Sequence, residues 1–253
     1  MPNDGIPTYM KLNKSTIENA SISQGSTLNQ FPDLWVQSGG VNLGAYETPT
    51  IFAALLKGEQ KVTINPGVYY NGSRVERVIY PIYEPFEATY SFVQEDTIEI
   101  SPIFKYRANV NFVSIEDFES SNNFSEMLRT DIGDTENIEG KAGVITLNTT
   151  DTRKTSSTIS AVPIPDHTKR TYLEFTLKTE SGVQIIMESL NGYEYELVRF
   201  QSFEDWYTTY FEITDYITAS NDDEYNFHII ATKKDTLTTE EKTYFDNFKI
   251  IQH

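Results

Sequence analysis

Apolar and polar residues alternate with a period of two along most of this chain, and no other feature restricts its fold so strongly. The pattern runs through Lys61 to Ile64, Ala88 to Val93, Thr97 to Ile100 and Val144 to Leu147. It returns at Thr171 to Leu177, Val183 to Met187, Tyr207 to Ile213, Tyr225 to Ala231 and Tyr244 to Ile251. Alternation over four to eight residues, broken by Gly, Pro and Asn, marks half-buried strands. The 16 tyrosines and 15 phenylalanines suit the same pleated surface. Helical periodicity is confined to Thr50–Leu56 and Ser125–Arg129, one or two turns each. The expected fold class is all-β.

Turn chemistry and charge both change near residue 107. Residues 1–108 hold eight of the ten prolines and eight of the thirteen glycines, with a net charge of −3. Residues 109–253 carry the other −14 of the total −17. A double shift of this kind marks a domain junction, placed here between Arg107 and Val110. The 253 residues accommodate two ordinary domains. The expected organisation is a tether over residues 1–10, an immunoglobulin-like β-sandwich over 11–108 and a second β-sandwich over 109–253.

The same arithmetic excludes several functions. An acidic surface repels phosphates, so nucleic acid is not an expected partner. No run reaches the ~18 apolar residues of a membrane span. With no cysteine there is no disulfide, thiolate metal site or Cys nucleophile. Three histidines, His167, His228 and His253, leave little material for a His-based triad or a zinc site.

In the first domain, Asn65-Pro66-Gly67 and Tyr70-Asn71-Gly72 read as tight turns. Tyr80-Pro81-Ile82-Tyr83-Glu84-Pro85-Phe86 sets two prolines in one apolar run. Proline is barred from a central strand, so the segment is expected at an edge or as an exposed crossing. It serves there either as a structural corner or, with Tyr80, Tyr83 and Phe86 as an aromatic ridge, as a partner interface.

The second domain opens with Ile115-Glu116-Asp117-Phe118-Glu119-Ser120 and closes with Thr243-Tyr244-Phe245-Asp246-Asn247-Phe248-Lys249-Ile250. These two segments, with the Trp-led run Phe203 to Phe211, resemble the galactose-binding-like jelly rolls of many carbohydrate-binding modules. The resemblance covers about residues 110–252 and implies a jelly roll over 109–253. It also implies a structural Ca²⁺ between first and last strands, carried by Glu119 and Asp246 with Asp117 nearby. Calcium takes six to eight oxygens, which acids and carbonyls supply. The alternative is that Asp246 and Asn247 only cap or turn the last strand.

Leu34-Trp35-Val36, Gly44 to Pro49, Gly58, Ile64 to Gly67 and Tyr80-Pro81 resemble the β-domain of Bacteroidetes-type surface lipoproteins. That likeness implies a lipid-anchored protein at the outer membrane. In such proteins a lipid-bearing cysteine heads a polar tether. Met1, followed by Pro2-Asn3-Asp4-Gly5, is read as standing in its place.

A sugar is held by aromatic faces flanked by polar side chains. Trp206 and Tyr210 share one strand face and Tyr207 and Phe211 the other; Trp206 either meets the ligand or anchors the core. Tyr193 and Tyr195, beside the hairpin signal Asn191-Gly192 and with Arg199 four residues on, form a second candidate. Two carboxylates about 5–9 Å apart could cleave a glycosidic bond. With 37 acids such pairs arise by chance, and no catalytic residue is assigned. The acidic run Asn221 to Glu224 lacks the glycine and distal glutamate of an EF-hand and reads as a solvated loop. The sequons at Asn13, Asn19, Asn71, Asn123 and Asn148 would mark surface loops in a eukaryotic secreted protein and are coincidence in a bacterial one.

The expected function is a non-catalytic cell-surface lipoprotein, an accessory subunit or scaffold of an outer-membrane protein complex. The alternative is a carbohydrate-binding module that presents polysaccharide to neighbouring enzymes or transporters. A glycoside hydrolase ranks last.

Overall fold

The structure is a computed structural model, and it describes residues 5–18, 24–26, 31–73, 75–234 and 239–253. Residues 1–4 of the expected tether and the sequon at Asn19 lie outside the described residues. The chain divides into two compact units, Met1–Asn109 and Val110–His253.

The first unit holds β1 (Thr8–Leu12), β2 (Thr16–Ile17), β3 (Asp33–Ser38), β4 (Val41–Glu47) and β5 (Thr50–Ala54). It continues with β6 (Gly58–Tyr69), β7 (Arg77–Ile79), β8 (Phe86–Phe92), β9 (Thr97–Ile100) and β10 (Ile103–Phe104). Three sheets result: β5-β1-β9, β10-β2, and β4-β3-β6-β7 with β8 also on β6. The 12-residue β6 spans its sheet, with Val62 and Ile64 buried beside Leu34 and Val36 of β3. Thr8 to Met10, expected in the tether, belong to β1, where Met10 is fully buried. Thr50–Ala54, expected as a helical turn, is a strand because Phe52 and Thr50 pair with Met10 and Leu12. Pairing overrides a weak local preference.

The proline-rich crossing also departs from expectation. Tyr80 and Tyr83 are only 2% and 1% exposed, so they form no exposed ridge with Phe86. The chain is anchored by backbone bonds from Tyr80 N–H to the Pro66 carbonyl (2.8 Å) and from Glu84 N–H to the Lys105 carbonyl (2.8 Å). Those anchors turn the rings inward, where Tyr83 stacks on Tyr106 at 4.4 Å and meets Phe31 edge-on at 5.0 Å. Phe86 is half-buried and starts β8 opposite Ile64.

The second unit is a two-sheet β-sandwich. Its strands are β11 (Asn111–Glu116), β12 (Leu128–Arg129), β13 (Gly143–Asn148), β14 (Arg153–Ser157), β15 (Val162–Pro163) and β16 (Thr171–Thr179). After them come β17 (Gly182–Ser189), β18 (Glu194–Phe200), β19 (Phe203–Glu212), helix α1 (Thr214–Ser220), β20 (Glu224–Thr232) and β21 (Glu240–Gln252). One sheet runs β12-β13-β21-β16-β19, with β11 also on β21; the other runs β14-β20-β17-β18, with β15 on β20. Between them lies a phenylalanine-rich core, in which Phe175 stacks on Phe245 at 5.0 Å and Phe124 meets Phe248 edge-on at 5.2 Å. Ser125–Arg129, the other expected helical turn, ends instead in β12, paired with β13. The helix that does form, α1, is closed by Asn221 in the left-handed region, which places the first residue of the acidic run as a C-cap.

A bulge in β21 changes which side chains of the closing strand face the core. Glu174 pairs with Lys249 and Thr176 with Asp246, so Asn247 and Phe248 together oppose Phe175. Asn247 takes φ 54°, a conformation asparagine tolerates better than most residues. The extra residue keeps Phe245 and Phe248 both in the core, while Asp246 falls on the other face by alternation from Phe245.

Candidate functional site

On the face of the larger sheet turned away from the core, the ends of β16, β19 and β21 border an open groove of about 840 Å³. Alternation along β21 sends Glu240, Lys242 and Tyr244 to this face, and Tyr244 lies in register with Lys178 of β16. Phe203 and Glu204 of β19 close one side, and Glu136 closes another. Glu136 belongs to the excursion between Thr130 and Ala142, whose ends are joined by Thr130 N–H to the Ala142 carbonyl (2.9 Å). The Asn137 amide fastens the excursion internally, donating to the carbonyls of Asp131 (2.9 Å) and Gly140 (2.6 Å).

Glu136 ties this loop to the sheet twice. Its carbonyl accepts the Trp206 indole N–H at 3.0 Å, and its carboxylate pairs with the Lys178 ammonium at 2.6 Å. Lys242 pairs with Glu240 at 3.0 Å, while the Lys242 N–H donates to Glu180 at 2.7 Å. The Trp206 and Tyr244 rings lie 6.3 Å apart at 56°. Tyr244 is 7% exposed, and its hydroxyl has no hydrogen-bond partner among the described residues. Burial pushes its pKa up; Lys242 opposes this, and Glu136, Asp134 and Glu180 add to it.

The five residues expected to bind ligand do not share one surface. Trp206 is half-buried near Tyr244 rather than in the core, because Tyr207 and Phe211 take the inward positions of β19. Tyr210 shares the outward side with Trp206 but is buried. Tyr193, Tyr195 and Arg199 sit on the other sheet. Tyr193 is 58% exposed just before β18, whereas Tyr195 packs against Tyr216 at 5.1 Å. A bulge at Leu197 sets Ile185 opposite Val198 but Ile186 opposite Glu196. It thereby carries Arg199 to the face opposite Tyr195, where its guanidinium pairs with Glu196 at 2.8 Å.

Lys178, Lys242, Tyr244 and the 131–141 loop were not singled out from the sequence. Tyr244 was legible only as the residue before the aromatic-Asp-Asn motif, which begins at Phe245. The loop, which has no alternation, carried no signal.

At the seam between the opening and closing segments, Asp246 is fully buried. One of its oxygens accepts the Asn247 N–H at 2.7 Å; the other, like the side-chain oxygen of Asn247, is buried without a partner. Burial raises the Asp246 pKa to about 8, with the charges of Glu139, Glu119 and Asp117 adding to the effect. Glu119 accepts the Lys141 N–H at 2.9 Å, and Asp117 accepts the Glu119 N–H at 3.1 Å. Among the described residues no three His, Cys, Asp or Glu side chains gather as a metal cluster. Two buried oxygens here have no partner among the described residues, and the charges of three acids act on Asp246.

No family model matches the chain, and no curated protein matches it. Among solved structures it is similar to the family 11 carbohydrate-binding module of the cellulosomal cellulase Lic26A-Cel5E of Clostridium thermocellum. That likeness has 17% identity and a TM-score of 0.38, covering 56% of this chain and 96% of that one. A family 29 carbohydrate-binding module aligns at 12% identity and a TM-score of 0.36, over 58% of this chain and 88% of that one. The enzymatically active domain of bacteriophage CBA120 tailspike protein 4 aligns at 6% identity and a TM-score of 0.37, over 58% and 20%.

Proposed function

We propose that the second unit binds a polysaccharide in the groove beside Trp206 and Tyr244 and presents it without cleaving it. The observation that supports this most is the Tyr244 hydroxyl, an unpartnered polar group on a buried ring at an open groove. A sugar hydroxyl can satisfy it, while the Tyr244 ring, with the Trp206 ring 6.3 Å from it, offers apolar surface to a pyranose. Lys178, Lys242 and Glu240 stand around them to hold ring hydroxyls.

The first unit is read as an immunoglobulin-like spacer, and the cell-surface, lipid-anchored setting is part of the same proposal. The docking alternative rests on the Tyr80, Tyr83 and Phe86 ridge, and with the two tyrosines buried no observation favours it. Calcium at the seam is a second part of the proposal. Asp246 and Asn247 would hold it, with Glu119, Asp117 and backbone carbonyls close by, and it would tie the last strand to the opening segment.

The test is titration calorimetry against a panel of soluble glycans, with Trp206→Ala and Tyr244→Phe as variants. Binding by the wild type that falls in both variants is the expected result. Equal binding by all three proteins would place the glycan elsewhere.

A further inference from the structure

The charges around the groove bear on which glycan it takes. Its two cations are each already neutralised, Lys178 by Glu136 and Lys242 by Glu240. Glu180 and Glu204 also line it, and neither is ion-paired among the described residues. Asp205, exposed beside Glu204 and close enough to act on Lys178, adds a further unpaired acid. The nearest additional cation is Lys234, whose ammonium donates to Ser202 at the rim (2.6 Å). Counting it, five acids face three bases, within a unit of net charge −14.

A chain of uronic acids or sulfated sugars meets net repulsion here, and a neutral chain gains only hydrogen bonds from its hydroxyls to the excess carboxylates. Ammonium groups gain twice. Glu180 and Glu204 pair with them, and the Tyr244 ring attracts cations through its quadrupole. The unpartnered Tyr244 hydroxyl offers an acceptor to an N–H as readily as to an O–H. We propose that the groove prefers a polysaccharide of unacetylated amino sugars, whose ammonium groups pair with Glu180 and Glu204 beside the Tyr244 ring. This rests on the reading of the groove as a glycan site and narrows it to a cationic glycan.

The test compares hexasaccharides with one β-1,4 backbone and different substituents: the glucosamine hexamer, the N-acetylglucosamine hexamer and cellohexaose, with an oligogalacturonate as the anionic probe. At about pH 6 and low salt, the glucosamine hexamer is expected to bind at least about tenfold more tightly than cellohexaose. Raising the salt to about 0.3 M should shrink that margin to about threefold, because exposed pairs are screened. Glu204→Gln, on an exposed side chain, should remove most of the margin and leave the melting temperature unchanged. Cellohexaose or the acetylated hexamer binding as tightly as the amine, or the anionic chain binding best, would overturn the inference and leave the groove reading intact. If no oligosaccharide binds, the groove reading falls and the inference with it.

Discussion

The indole N–H of Trp206 donates to the backbone carbonyl of Glu136 at 3.0 Å, fastening an edge strand to a loop seventy residues earlier. The bond explains why an aromatic that alternation alone could assign to the core stands instead near Tyr244. On the outward side its N–H has the Glu136 carbonyl, and Tyr207 and Phe211 already fill the inward positions.

From this placement, Trp206→Ala should cost about 1–2 kcal/mol, the sum of partial burial and one hydrogen bond. A core tryptophan would cost about 3–5 kcal/mol. Chemical denaturation of the second unit distinguishes the two. Trp206→Phe keeps ring area and loses only the N–H, so it should fall between wild type and alanine.

Tyr244→Phe removes a hydroxyl that no other described residue bonds. Stability should change by less than about 0.5 kcal/mol, while glycan affinity drops about fivefold. A large stability loss without any affinity change would show that the hydroxyl serves the fold.

The seam predicts a pH dependence whose sign depends on metal. Without calcium, Asp246 has a folded pKa of about 8 against 3.8 for the ordinary carboxylate. Between those values the folded unit binds more protons than the unfolded one, so its stability falls as pH rises, by up to about 1.4 kcal/mol per unit. With calcium bound the ionised form is the ligand, and rising pH strengthens binding instead. Melts in EDTA should therefore decline from pH 5 to 8, roughly the window of the shift, and melts in millimolar calcium should not. Asp246→Asn should remove both behaviours. Superimposable melts in calcium and EDTA at every pH would exclude the metal.

In the first unit, Arg77 bridges the buried Asp33 (2.7 Å) and the exposed Glu47 (2.6 Å). Burial raises the Asp33 pKa even with Arg77 beside it. Arg77→Met should leave a buried carboxyl unpaired and cost about 2–3 kcal/mol, less than a fully buried pair because Arg77 is partly exposed. Glu47→Gln should be nearly neutral. Urea unfolding of the two variants checks the ranking.

Alternation in the sequence determined where most strands lie and which residues share a side, as at Val62 and Ile64 or Phe175 and Leu177. The shift in proline, glycine and charge near residue 107 coincides with the division at Asn109. Tertiary structure decided which side of each strand is dry. Thr171–Thr179 reads as half-buried, yet both of its faces are covered apart from Lys178. A period of two carries no information about what will pack on the polar side. Bulges at Leu197 and Asn247 decided the rest, because one inserted residue reverses every later side chain. That reversal separates Arg199 from Tyr195 and returns Phe248 to the core beside Phe245, and it depends on strand pairing that local sequence does not encode.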